Sequence, residues 1–332
     1  MNGIEVLDRP ASQSYFAVAG RLLFVGCSDR HLAARIERLF SGWQLTPVSS
    51  PDRSPDARIV FFYGDDIPGI PSGFSQFEVA HGGRLYAAAD FFYLTFENVL
   101  LHLEPVAGSE TVNIAIWIKD PGPTDAEIGR VTSFAVCAAL RRFGLFELHA
   151  AGVVAPNTRL GALIVGPSGS GKSTLTHKLA TAGWGYLSDD ELLLSVAGEA
   201  VEARGFRSFF AVAPAAAGVA SAGFKTCFEP AGVFAAPAVS SVAPRFVFFA
   251  SISGLQETRI SPLSQAETMT RLIRACPWAS YDRAVADAHL QLLSQLARQA
   301  QGFELRAGTD LLPPDQASHI ISRCLSRVNN GD

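Results

Sequence analysis

Ala162-Leu-Ile-Val-Gly166-Pro-Ser-Gly-Ser-Gly171-Lys172-Ser173-Thr174-Leu175 decides the fold of this chain. Gly166 to Ser173 matches G-x-x-x-x-G-K-[ST] at every fixed position. With glycine at about 7% of residues, those positions meet by chance in roughly one chain in a hundred of this length. Each residue type has a physical reason. Glycines let successive amides turn inward around a phosphate, a helix N-terminus adds partial positive charge, and Lys172 supplies a full one. Ser173 offers a hydroxyl to Mg²⁺, which neutralises charge as a phosphoryl group leaves. The apolar strand Ala162–Val165 precedes the loop, and Leu175, Leu179 and Ala180 give the following helix a packing face. Gly166, Ser168, Gly169, Ser170, Gly171, Lys172, Ser173 and Thr174 are therefore the candidate nucleotide-binding residues. The plainer alternative is a Gly-rich turn with an incidental lysine.

The next acidic residues decide the chemistry. Asp189 and Asp190 end the short strand Gly185–Ser188, seventeen positions after Lys172, which leaves room for one helix. In an open sheet, the carboxyl end of an adjacent strand lies beside the phosphate loop. One carboxylate can then hold the metal while the other accepts the proton of an attacking hydroxyl. An acidic turn opening a hairpin over 191–203 is the alternative. His149 closes Phe146-Glu-Leu-His149 just before the strand pair leading into the loop, and it can share a proton with the acids or be a structural histidine. Lys225, Arg245, Arg259, Arg271 and Arg274 follow the loop, and Lys225 stands out because it borders a flexible stretch. His177 falls on the far side of the helix, and the aromatic triplets 61–63 and 91–93 read as strand core.

The remaining sequence bounds the answer. A chain of 332 residues, 48% hydrophobic and 17% charged, predicts about two well-packed domains. A net charge of −4 provides no global basic field, so neither nucleic acid nor an anionic membrane surface is expected as partner. Residues 1–8 lack the basic and apolar regions of a secretion signal, and no apolar run is long enough to span a bilayer, so the chain is expected in the cytoplasm. Five scattered cysteines without a C-x-x-C pair read as reduced thiols. Apolar runs at 16–26, 58–63, 77–89, 91–103 and 111–118, with a helix at 29–40, make the first part an α+β module. Asp120-Pro-Gly-Pro123 reads as the joint, which gives an N-terminal domain at 1–122 and a phosphate-loop domain at 123–332. Thr124-Asp-Ala-Glu127 and Ser264-Gln-Ala-Glu267 are capping boxes. Residues 211–244 read as an irregular excursion open to a lid role, and 280–300 as one amphipathic helix burying Val285, Leu292, Leu293 and Leu296.

His149-Ala-Ala-Gly-Val-Val, the segment Gly161–Ser173 and Gly185-Tyr-Leu-Ser-Asp189-Asp190 together resemble the kinase domain of the HPr kinase/phosphorylase family. More narrowly they are similar to HPr-kinase-related proteins, some of which accompany lasso-peptide gene clusters. The resemblance covers about 146–191. It implies an α/β fold, with a P-loop kinase domain of the HPr-kinase type behind a smaller α+β domain. It also implies ATP and Mg²⁺, with Asp189 as base, His149 as its partner, and Asp190 with Ser173 toward the metal. Thr174 stands where family members commonly carry Glu. The expected activity is transfer of the γ-phosphoryl group to a hydroxyl, serine on a protein or ribosomally made peptide, with the N-terminal domain selecting the substrate. A small-molecule alcohol kinase and a non-kinase P-loop NTPase or switch stay open, as does homo-oligomerisation.

Overall fold

Short apolar runs separated by tight turns close on themselves as hairpins, and this shapes the first half of the chain. A computed structural model describes residues 10–329 except 80–81, 89, 107, 120–122, 213–225, 235 and 237. The expected joint at 120–122, Lys225, and the N-terminal residues 1–8 lie outside the described residues. The chain is mixed α/β and divides into two compact units: Met1–Leu145 with Trp278–Asp287, and Phe146–Pro277 with Ala288–Asp332. The division therefore comes after the helix that opens at Thr124, not before it.

In the first unit, strands β1 (Ser12–Val18), β2 (Arg21–Cys27), β3 (Thr46–Pro47), β4 (Ala57–Tyr63), β5 (Ser75–Val79), β6 (Gly83–Ala87), β7 (Phe92–Phe96), β8 (Val99–Pro105) and β9 (Val112–Ile118) form one sheet. Its order is β3-β1-β2-β4-β9-β8-β7-β6-β5. The runs expected at 16–26, 77–89 and 91–103 each resolve into two strands. Ala19 and Gly20, with φ of 47° and 79°, form the kind of turn whose twist matches a hairpin. Helix α1 (Arg30–Phe40) is capped by Asp29, whose carboxylate accepts from the Leu32 amide, and buries Leu32, Ala33, Ile36 and Phe40. Helix α2 (Asp125–Arg141) opens on the expected Thr124–Glu127 capping box. Its packing against α1 and β8 draws it into this unit.

The expected helix over 280–300 is broken. Helix α5 (Trp278–Tyr281) and a 3-10 turn at Arg283–Val285 belong to the first unit, and a separate helix follows. The cause is Asp282, whose carboxylate accepts from Arg141 Nε at 3.1 Å and Arg142 Nη1 at 2.6 Å. Both Arg141 and Asp282 are buried, and Val285, outside the helix, is only partly so.

The second unit contains β10 (Phe146–Leu148), β11 (Ala150–Val154), β12 (Gly161–Val165), α3 (Lys172–Thr181), β13 (Gly185–Ser188), β14 (Leu192–Ala197) and β15 (Ala200–Gly205). It continues with β16 (Phe210–Val212), β17 (Thr226–Phe228), β18 (Ser241–Val242), β19 (Pro244–Ile252), β20 (Arg259–Pro262) and α4 (Gln265–Ala275). Helix α6 (Ala286–Gln299) from Ala288 on, β21 (Gln301–Ala307) and α7 (Pro314–Asn329) complete it. The described part of the expected excursion at 211–244 thus includes three short strands.

The central sheet runs β13-β11-β12-β19-β21-β20, and a second sheet runs β10-β14-β15-β18. Strands β12, β19 and β21 are parallel, whereas β11 is antiparallel to both β12 and β13. Strand β13 is therefore not adjacent to β12, as the strand-loop-helix-strand order suggested; β11 lies between them. Helices α3 and α7 cover a core of Ile164, Leu175, Trp184, Phe246, Phe248 and Leu305. The fully buried Trp184 donates its indole N–H to Ser318 Oγ at 2.9 Å. Among the described residues, no helix is long and apolar enough to cross a membrane. All five cysteines are free, and Cys27, Cys137 and Cys276 are buried.

Two expected outcomes follow for the first unit. Removing one partner from a buried ion pair leaves the other charge uncompensated, so Asp282→Ala should lower the unfolding free energy by about 3–5 kcal/mol in urea titrations. His102 stacks on Tyr93 at 4.2 Å, and burial pushes its pKa down to about 4 despite Glu104 3.9 Å away. The unfolded chain takes up this proton near pH 6.5 and the folded chain only near pH 4. Stability should therefore fall as pH drops through that window, by about 2 kcal/mol from this residue. A His102→Phe variant should lose that part of the slope when unfolding is compared at pH 7 and pH 4.5.

Candidate active site

Strand direction brings the sequence-predicted residues together. Because β11 opposes both neighbours, its amino end meets the carboxyl ends of β12 and β13 at one edge of the sheet. His149 immediately precedes β11, Gly166 follows β12, and Asp189 follows β13. The second sheet fixes the same point: Leu148 on β10 is registered opposite Leu192 on β14, while Gly152 pairs with Ser188. His149 and Asp189–Glu191 are thus side-by-side crossings from one sheet to the other.

The loop after β12 has the expected form. Gly169 and Gly171 take φ of 82° and 91°, conformations that glycine adopts without a Cβ penalty, and Gly171 caps α3. Gly166 is required by space. A Cβ there would come within 2.5 Å of Ser170 Oγ and 2.7 Å of the Ala250 carbonyl oxygen. Ser170 is buried, and its hydroxyl has no hydrogen-bond partner among the described residues. Ser168 is exposed, while Ser173 and Thr174 are half-buried in the first turn of α3.

Lys172 is 5% exposed and turns back over the loop. Its ammonium donates to the carbonyl of Gly166 at 2.7 Å and of Pro167 at 3.2 Å, and lies 3.0 Å from His149 Nε2. With Nε2 accepting from the ammonium, the ring proton belongs on Nδ1. Nδ1 faces Asp190 Oδ1 at 3.4 Å. A continuous line of polar atoms therefore joins the loop lysine to a carboxylate.

The two aspartates do not share an environment. Asp190 has 43% of its side chain exposed and is the carboxylate paired with His149. Asp189, expected in that place, is 1% exposed and accepts from the backbone amide of Ala211 at 3.0 Å. Tyr186 on β13 senses both charges: burial first, then Asp189 and Asp190, hold its phenol protonated well above the usual range. Glu191, a third acid that the sequence did not single out, is matched by Arg207 Nε at 2.9 Å. The Ala211 amide was not foreseeable either, since it comes from a strand 22 residues away. His177 lies on the opposite face of α3, near the rings of Phe210, Phe228 and Phe234, as its helical position implied.

The donors at this edge are carboxylate and hydroxyl oxygens, the hard ligands that Mg²⁺ prefers. Among the described residues, no three His, Cys, Asp or Glu side chains converge to hold an ion by themselves. Ser173, half-buried in the first turn of α3, and the partly exposed Asp190 are the oxygen donors such a cation would find at this edge.

No family model and no curated protein matches the chain. Among solved structures it is similar to the Hpr(Ser) kinase/phosphatase from Coxiella burnetii, with 14% identity and a TM-score of 0.30 over 54% of this chain and 97% of that one. A likeness at that score carries no functional weight, and the chemistry rests on the site itself.

The loop glycines should fail in different ways. Gly166→Ala forces a backbone contact apart and should cost about 1–3 kcal/mol. Gly169→Ala meets nothing within 4 Å and pays only left-handed backbone strain, about 1 kcal/mol. Urea unfolding of the two variants side by side checks the order.

Proposed function

We propose that this chain is an ATP- and Mg²⁺-dependent kinase that transfers the γ-phosphoryl group to a hydroxyl, with serine on a protein or ribosomally made peptide as acceptor. The observation that carries this reading is the line Lys172–His149–Asp190 at the phosphate-loop edge of the sheet. A lysine in such a loop engages the outer phosphates, so a half-exposed carboxylate two contacts away lies where an acceptor hydroxyl must approach.

The roles follow from access. Asp190 accepts the hydroxyl proton as the oxygen bonds to phosphorus and the bond to the leaving nucleoside diphosphate breaks. His149 orients that carboxylate through Nδ1–H and takes Lys172 on its other nitrogen. This moves the role of base from Asp189, where the family resemblance implied it, to Asp190, because Asp189 is buried and accepts from the Ala211 amide. Asp189 is then a positioning residue. The loop amides from Gly166 to Thr174 and the α3 N-terminus surround the phosphates. Ser173 would hold Mg²⁺, which supplies charge neutralisation at the transferring group when bound. A compact first unit of Met1–Leu145 with Trp278–Asp287 is more than recognition of a small alcohol requires, which favours a polypeptide acceptor.

Incubation with radiolabelled ATP, candidate peptides and cell extract should place label on a polypeptide. Asp190→Asn should lower that transfer by about 10²-fold or more, the usual worth of a general base, with ATP affinity nearly unchanged. Label on a metabolite would favour the small-alcohol reading. Free phosphate alone, or undiminished transfer by Asp190→Asn, would overturn the assignment.

A further inference from the structure

We infer that the nucleoside of the bound nucleotide lies on the flank of the phosphate loop opposite the acids, against Ile252 and Leu255 at the carboxyl end of β19. This rests on the nucleotide-binding reading above and adds where the base is held.

Direction comes first. The loop lysine points toward β11, where its ammonium meets His149, and Asp190 lies beyond it at the end of β13. The terminal phosphate therefore belongs on the β11–β13 flank. A triphosphate threaded through the loop must leave on the other side, where β19 and β21 end.

That side carries a cavity of about 420 Å³ lined by Ile252, Ser253, Leu255, Glu257, Arg259 and Arg306, among others. Its size falls in the roughly 300–1,000 Å³ range of small-molecule sites. It adjoins the loop: Ile252 Cγ1 is 3.5 Å from where a Cβ on Gly171 would stand. Ile252 and Leu255 are 64% and 54% exposed, and together they place aliphatic surface in water beside a charged rim. The flat face of a base is the part of a nucleotide that such a surface suits, whereas the phosphates gain nothing from it. Glu304 in the rim is already committed to Arg271 and Arg306, so it repels phosphate less than a lone carboxylate would.

The test compares ATP with inorganic tripolyphosphate by titration calorimetry. The double variant Ile252→Ser, Leu255→Ser changes exposed positions and should keep the wild-type unfolding midpoint. It should bind ATP about tenfold more weakly, with tripolyphosphate affinity unchanged. Unchanged ATP affinity, or an equal loss for both ligands, would overturn the base position while leaving the loop reading intact. If the wild type binds neither ligand, or Lys172→Ala binds ATP as tightly as the wild type, the loop reading itself fails and the inference with it.

Discussion

A buried ammonium must be surrounded by acceptors, and at the heart of the second unit that requirement ties three separate chain segments together. Lys172 is almost fully enclosed, and two loop carbonyls and the His149 ring accept from its ammonium. The carbonyls belong to the loop that the lysine itself ends. The imidazole comes from 23 residues earlier. It can be there only because β11 runs against β12 and so begins where β12 stops. Had β11 been parallel, His149 would lie at the far edge of the sheet.

The same strand order gives the site a direction. Acids and histidine occupy the edge beyond β11, the loop occupies the middle, and the cavity near Ile252 occupies the side of β19 and β21. The His149–Asp190 pair and a cavity with two exposed aliphatic side chains in a charged rim thus flank one glycine-rich loop. The acidic pole is also tied outward. Asp189 accepts from Ala211 on β16, and the neighbouring rings Phe210, Phe228 and Phe234 pack with Tyr186 of β13 and His177 of α3. The β16–β17 strand pair therefore contacts both the acidic strand and the loop helix.

What could be read beforehand was local. The phosphate loop, both capping boxes and the pairing of strand with helix around Lys172 are each written in contiguous residues, whose backbone chemistry does not depend on distant partners. What escaped was non-local. Nothing near residue 188 says that β11 intervenes between β12 and β13, since periodicity shows that a strand exists but not which strand it pairs with. Likewise 280–300 carries a helical pattern throughout. Its interruption comes from Asp282 being held by Arg141 and Arg142, about 140 residues away. The turns at Ala19-Gly20 and Gly82 were legible as glycines but not as hairpin closures, because their apolar flanks ran together.

The assignment within the acidic pair shows why adjacency in sequence is a poor guide to role. Asp189 and Asp190 lie in the turn after β13, one buried and the other with 43% of its side chain exposed, so they do not face one ligand in the same way. Ser188 is fully buried and its hydroxyl bonds the Glu191 carbonyl, closing the turn tightly and fixing which side each takes. Asp189 goes inward, where a buried carboxylate is tolerated only with donors such as the Ala211 amide. Asp190 goes outward to His149 and solvent. A base needs access to its proton donor before it needs anything else, and a group 1% exposed has none without rearrangement of β16. Spacing from the loop located the pair; burial and hydrogen-bond partners distinguish its two members.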